Sequence, residues 1–444
     1  MKNHFRATHH RNGVNALFSG IQPALTGLFG SGALKSALSL ADQLVVSATG
    51  FLSGVIVARH CTMAELGAYH LALSVFLILR GIQEQTITGP YTIYSHHRRN
   101  EALCTYTGSL FIHQVFFVIT ASLVLGALYL ASLHNWTPEA FSAVAPMLLL
   151  AGPLVLIREF FRHYSFARLQ FDAAFMADVS VLLLQLGGLY WMATLSGLTA
   201  KAVFGVVAVA SGFAGIVWWV SARPHLRFDR RRVLPDWRQN WSFGRWTLLS
   251  YIVGCCTPYF VTWIVAGMRS EAEAGKLAAC VSLIGLSNMF LTAIANVLTP
   301  KAAAVYAEEG LEGLGRVNRK VMLLFTVVLL FFTVLVFIFG NWLGRTVYGL
   351  AFGDIRNLCG LIALGIVVTS FMLVAGTALL AMDRPRANLP ADATTAVVTI
   401  GLALYLVPAG GIIAAAAATL CGSVVGAAVR WATVFHYWRT TAVE

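Results

Sequence analysis

Apolar runs of about twenty residues, each long enough to cross a bilayer core of about 30 Å as a helix, recur along almost the whole chain. They lie near Leu34 to Val57, Leu66 to Pro90, Tyr106 to Ala131, Phe141 to Phe160, Met176 to Leu195 and Ala202 to Val220. After the polar segment ARPHLRFDRRRVLPDWRQNW they resume near Phe243 to Gly267, Leu277 to Thr299, Val321 to Gly340, Leu358 to Met382, Ala391 to Leu406 and Gly411 to Tyr437. The pattern predicts an all-α polytopic membrane protein of about twelve transmembrane helices. The last run is overlong and glycine-rich, and Arg162 to Asp172 reads as an interfacial helix.

Composition agrees: 58% of residues are hydrophobic and only 11% charged, where soluble domains carry about 25%. A net charge of +12 would suggest nucleic acid in a soluble chain. Here the arginines fall between apolar runs, where they set topology, and no nucleic-acid partner is expected. With a cytoplasmic N-terminus, about 24 of the 31 Lys and Arg residues fall inside and about six outside. Both termini are then cytoplasmic. The expected organisation is a basic tail (1–33), a six-helix lobe (34–221), a basic cytoplasmic linker (222–242), a second six-helix lobe (243–437) and a short tail (438–444). The seven cysteines are scattered, with neither a disulfide framework nor zinc-ligand spacing.

The two halves repeat. A gapless shift of 208 residues lays VIVARHCTMAELGAYHLALS on WIVAGMRSEAEAGKLAACVS, matching Glu65 with Glu273, Gly67 with Gly275 and Ser74 with Ser282. Six spans separate the copies, so both have one orientation, implying lobes related by a pseudo-twofold axis along the membrane normal with a cavity between them.

Polar residues inside the spans are the candidates for chemistry. Arg80 interrupts LALSVFLILRGIQEQTITG, and a charge facing lipid there costs from about 2.5 to over 10 kcal/mol, so it must face a cavity or a partner. Glu84 and Thr88 follow at helical spacing. The repeat maps Arg80, Glu84 and Thr88 onto Asn288, Thr292 and Asn296, so each lobe carries a polar stripe that either lines the cavity or joins helices within its own lobe. Gln83 and Gln85 flank the first stripe, and Arg245 begins the seventh span, as a cavity residue or a topological anchor. In the first span Ser39, Asp42, Gln43, Ser47, Gly50 and Gly54 recur near a helical period. Asp42 is open to three readings: pairing with Arg80, carrying a proton, or reaching the interface. Asp178 and Asp392, near span ends, read as interfacial. No phosphate-binding G-x-x-x-x-G-K-[ST] loop, H-E-x-x-H pattern or large extramembrane loop is present, so neither an ATP site, a metal site nor a catalytic domain is expected.

The segments SALSLADQLVVSATGFLSGVIVAR and AELGAYHLALSVFLILRGIQEQTITGP resemble the first two helices of bacterial polysaccharide-biosynthesis flippases, the Wzx-type branch of the superfamily that also holds the multidrug and toxic compound extruders. Ala58, Arg59, Gly67 and Tyr69 carry the similarity to that family's A-R-x-L-G-P-x-x-F-G-x-Y pattern, while His60, Cys61, Thr62 and Met63 depart from its Leu-Gly-Pro turn. The resemblance implies alternating-access transport of a lipid-linked oligosaccharide on a polyprenyl diphosphate across the bacterial inner membrane. It implies no cofactor, coupling to a proton or sodium gradient with Asp42 the candidate, and a cavity lined by Arg80, Gln83, Gln85, Asn288 and Asn296. Membrane lipids, a polysaccharide polymerase and glycosyltransferases are the implied partners. A cation-coupled drug or metabolite extruder of the same fold, and a membrane enzyme of glycan assembly, are the alternative functions.

Overall fold

No water reaches the bilayer core to pair a bare N–H or C=O, so each apolar run must satisfy its own backbone and closes into a helix. The computed structural model describes residues 38, 39, 41–195, 197–222, 226–255, 257–349 and 352–441, and these form helices joined by short turns, with no strand among them. The tail 1–33 lies outside the described residues. The first lobe comprises α1 (Ala41–His60), α2 (Met63–Gln83), α3 (Asn100–Leu133), α4 (Glu139–Ala167), α5 (Phe171–Leu195) and α6 (Ala200–Ala222). The second half comprises α7 (Arg230–Cys255), α8 (Thr257–Met268), α9 (Glu271–Gly285), α10 (Asn288–Tyr348), α11 (Arg356–Ala381) and α12 (Leu389–Thr441).

α10 and α12 hold 61 and 53 residues; straight helices of that length would be about 80–90 Å long, nearly three bilayer cores. Each instead turns back at one glycine, Gly310 (φ 64°) or Gly411 (φ 56°), where only the absence of a Cβ makes a left-handed φ inexpensive. Beyond Gly310 the Phe325 ring returns to Phe290, with centroids 5.9 Å apart. Beyond Gly411, Gly426 lies against Thr395, and Arg430 pairs with Asp392. Both helices are therefore antiparallel hairpins. Nine described segments are long and apolar enough to span a membrane, and eleven are if the bent pairs α7–α8 and α9 with the start of α10 each count as one. The turn at Gly411 divides the last of these, giving the twelve crossings the hydrophobic pattern predicts.

The pseudo-twofold relation is visible in a single contact. A Cβ on Gly67 would lie 1.9 Å from the carbonyl oxygen of Glu271, and one on Gly275 would lie 2.8 Å from that of Met63. The 208-residue shift turns Gly67 into Gly275 and Met63 into Glu271, so α2 and α9 cross in a reciprocal, isologous contact. The helix starts repeat as well: Thr62 caps the N–H of Glu65, and Ser270 caps that of Glu273.

Two segments differ from the sequence reading. Arg162 to Asp172 is not an interfacial helix: α4 runs on to Ala167 and α5 starts at Phe171. The charge of Arg162 is neutralised inside the lobe by Asp42 and Asp178. Within the basic linker, residues from Arg230 onward are already helical and dock on the first lobe. Tyr106 donates to Asn240 Oδ1 at 2.7 Å, Arg98 to Gln239 Oε1 at 2.7 Å, and His113 Nε2 lies 2.9 Å from the Val233 carbonyl oxygen. The charge asymmetry of the sequence predicts the cytoplasmic side for this docked segment. Reporter fusions at Phe228 are expected to read cytoplasmic and fusions at Cys61 external; the reverse at either site would overturn this orientation.

Candidate functional site

The lobes are fastened together at the end where α2 and α9 begin. The N-terminus of α4 has Pro138 as its cap, with no side-chain bond to its free N–H groups. Glu271 of the second lobe supplies one: its Oε2 accepts from the Ala140 N–H and its Oε1 from the Phe141 N–H, each at 2.9 Å. A carboxylate suits this position because it satisfies two orphan donors and complements the positive end of the helix dipole. At the opposite pole, Arg59 of α1 donates to the Val347 carbonyl at 2.8 Å and to that of Thr346, in the last turn of α10. With the Gly67–Gly275 crossing between them, these contacts close the Thr62/Ser270 end. Replacing a helix cap with alanine costs about 0.5–2 kcal/mol. Glu271→Ala is therefore expected to shift the closed-to-open balance by about 2- to 30-fold, read as faster labelling of a single cysteine at Ser282 from the Thr62 side. Unchanged labelling would remove Glu271 from the closure.

Beyond the crossing, two cavities flank the α2–α9 pair. The first, about 360 Å³, runs between α8, α9, α11 and α12 and one side of α2, past Ser74, Thr262, Thr369, Thr419 and Ser423. The second, about 320 Å³, is lined by Ser47, Gly50, Phe51 and Gly54 of α1, Tyr69 of α2, and Leu286 and Met289. His70, Leu73 and Ser282 border both. The cavities are approximate twofold mates, because α1 positions 50, 51 and 54 shift onto the α8 positions 258, 259 and 262 that line the first. Both volumes fall within the range of about 300–1,000 Å³ typical of small-molecule sites.

A charged network fills the other end of the first lobe. Arg80 lies 3.1 Å from Glu159; Arg158 reaches Asp178 at 2.7 Å; Arg162 bridges Asp178 at 2.8 Å and Asp42 at 2.7 Å. Three arginines and three carboxylates from α1, α2, α4 and α5 thus balance in charge. Asp42, Glu159 and Asp178 are almost fully enclosed, whereas the Arg80 side chain keeps 31% of its surface exposed. At 100° per residue, Arg80 falls between the directions of Tyr69 and Leu73, on the side of α2 that borders the smaller cavity. It is the most exposed charged side chain of the network.

The other predicted residues separate. Glu84 is not the partner of Arg80; it opens a π-helical turn, Glu84–Thr88, in which the Gly89 N–H reaches back to the Glu84 carbonyl. Pro90, two residues into the helix after that turn, lacks the N–H that an ordinary turn would use. Gln83 is buried and donates to the Leu156 carbonyl at 3.0 Å, which turns it into the lobe. The Gln85 carbonyl packs on Gly244 of α7, and Thr88 is buried with its hydroxyl unbonded. Asn288 and Thr292 are exposed, and Thr292 bonds back to the Asn288 carbonyl at 2.9 Å. The side chain of Asn296 lies outside the described residues. Arg245 is exposed beside the Trp246 ring. Asp178 is an interior member of the network rather than interfacial, and Asp392 is bonded to Arg430. His70, Ser282, Glu159 and Arg158 carry the site without having stood out. The signal for the last two was the unmatched polarity of LIREFFRHY inside an apolar run.

The model of the family described as polysaccharide biosynthesis protein matches residues 34–305. The chain belongs to that family. No curated protein matches it. Among solved structures, it is similar to a multidrug resistance MATE family transporter of the MOP superfamily in an inward-facing conformation, at TM-score 0.74 and 13% identity over 89% of this chain and 95% of that one. Lipid II flippase MurJ in an inward closed conformation matches at TM-score 0.67 and 14% identity, over 89% of this chain and 86% of that one. An outward-facing MATE transporter matches at 0.61 and 13%, over 92% and 95%. The fold is that seen in these transporters.

Proposed function

We propose that the chain translocates a lipid-linked oligosaccharide, carried on a polyprenyl diphosphate, from the cytoplasmic to the outer leaflet of the bacterial inner membrane by alternating access. The observation that carries this reading is the partly exposed Arg80 on the face of α2 that borders a cavity about two turns earlier, in a polysaccharide-biosynthesis family member. A guanidinium held by Glu159 on one side offers its remaining N–H groups to a diphosphate, for which its fork geometry is suited. The isoprenoid tail stays in lipid. A proton or sodium gradient supplies the energy, with Asp42 as the coupling group: one carboxylate oxygen binds Arg162, and the other is buried and unbonded, an open position for a cation. Glycosyltransferases deliver the substrate and a polymerase receives it.

Deleting the gene should trap lipid-linked glycan in the cytoplasmic leaflet, and restoring the chain should release it. Glycan that reaches the outer leaflet at the normal rate without the chain would overturn the reading. Arg80→Ala should reduce transport at least about tenfold while Arg80→Lys keeps part of it, because a lysine retains the charge but not the bidentate fork. Normal transport by Arg80→Ala would exclude Arg80 as the headgroup contact.

A further inference from the structure

The cavities beside α2 and α9 differ chemically from the charged network below them. Neither is lined by Asp or Glu, Lys or Arg; their polar groups are hydroxyls and the imidazole of His70, set among Tyr259, Phe51, Tyr69 and Tyr348. Such a lining suits a neutral ligand rich in hydroxyls and with apolar C–H faces, and it offers nothing to a diphosphate. Most of the hydroxyls are engaged as donors: Thr262, Thr369 and Thr419 bond back to their own helices, and Ser74 donates to the Leu71 carbonyl and accepts from the Trp263 indole. Two groups differ. The His70 ring has an edge contact with Tyr69 and no hydrogen bond to another described residue, and the Ser282 hydroxyl likewise has none. These are the two polar residues that border both cavities. The shift of 208 converts His70 into Ala278, so the imidazole is a feature of one lobe only and not of the shared helical frame.

We propose that His70 and Ser282 form the sugar-recognition site for the cargo, a neutral-glycan subsite at the junction of the two cavities. This rests on the proposed function and deepens it. His70 precedes Arg80 by ten residues of helix, about 15 Å toward the closed end. A diphosphate at Arg80 therefore places the first sugars of the attached glycan near His70, whose ring nitrogens donate to and accept from sugar hydroxyls. A site built to bond a hydroxyl discriminates strongly, because its polar groups go unpaired when the hydroxyl is absent.

The test uses the full-length protein in lipid nanodiscs and two probes: polyprenyl diphosphate bearing no sugar, and the polyprenyl-diphosphate glycans extracted from a strain deleted for this chain. His70→Leu and Ser282→Ala should each weaken binding of the glycan-bearing probe about tenfold and leave that of the bare diphosphate within about twofold. His70→Gln, which keeps a donor and an acceptor, should recover most of the loss. Wild-type affinity for both probes in the variants would overturn the subsite and leave the flippase reading intact. Equal weakening for both probes would also overturn it, because His70 would then act on the shape of the cavity alone. Failure of the wild-type protein to bind the extracted glycans would overturn the flippase reading, and the subsite with it.

Discussion

Gly67→Leu is expected to leave the protein in the membrane at near-normal amounts and to reduce transport at least about tenfold, because the crossing of α2 and α9 has no room for any side chain. A Cβ at position 67 would meet the backbone oxygen of Glu271 at 1.9 Å, and backbone cannot rotate away as a side chain can. Relief to an ordinary contact of about 3.5 Å requires the helices to separate by about 1.5 Å or more at the point where the lobes are closed. The Glu271 and Arg59 contacts flank that point, so they are stretched together with it. The closed arrangement then loses its advantage and the population moves toward the form open at the Thr62 end. A single cysteine at Ser282, in a background without the native cysteines, should be labelled from outside several times faster in Gly67→Leu than in its parent. Gly275→Leu should do the same, since the two glycines exchange roles under the pseudo-twofold. Wild-type transport and labelling in both variants would show that the crossing does not control access.

How much of the structure was legible in the sequence depends on the range over which each signal acts. Span positions depend on twenty adjacent residues, and the hairpin turn at Gly411 falls where the overlong final run begins, so both were legible. The repeat was legible too, because a shift compares residues without knowing where they fold. That the repeated glycines touch one another was not: an alignment pairs Gly67 with Gly275 but does not say that the axis passes between them. The need of Arg80 for a partner follows from the cost of a charge in lipid, yet Glu159 lies two helices further along the chain, and no periodicity connects α2 to α4. Glu84, at the helical spacing, was the nearer candidate. The structure gives Arg80 to Glu159 although Glu84 keeps the regular i,i+4 position, its N–H bonding the Arg80 carbonyl. Ahead of Pro90, which lacks the N–H of an ordinary turn, a π-helical turn begins only at Glu84. Such a turn takes in about one extra residue, which rotates the helix beyond it by about 100°. The stripe drawn through Arg80, Glu84 and Thr88 assumes a regular helix and breaks there, leaving Thr88 buried. The first helix divides similarly: Ser47, Gly50 and Gly54 border a cavity, while Asp42 turns inward to Arg162.

Asp178 holds the largest expected effect on folding. Its two oxygens accept from Arg158 at 2.7 Å and from Arg162 at 2.8 Å, and it is almost wholly enclosed. Asp178→Ala leaves three arginines against two carboxylates inside the lobe, and an uncompensated buried charge costs about 3–5 kcal/mol. That is a large part of the 5–15 kcal/mol or so by which a native structure is usually favoured. Asp178→Ala should therefore accumulate poorly and melt well below the wild-type protein. The cause is charge balance rather than the lost side chain, so neutralising one arginine should repair it. Arg158→Gln, which also loses the Asp178 bond, should destabilise alone, and Asp178→Asn with Arg158→Gln should recover more stability than the separate losses predict. Melting temperature in detergent and monodispersity by size-exclusion chromatography measure this, and the difference across the double-mutant cycle isolates the coupling. Additive losses would mean that the two residues act independently. Transport by the repaired double variant then tests the division of labour within the network. Arg80 is untouched in it and Glu159 still holds Arg80, so activity should return with folding, because Asp178 and Arg158 support the fold around Arg80 without themselves contacting the cargo.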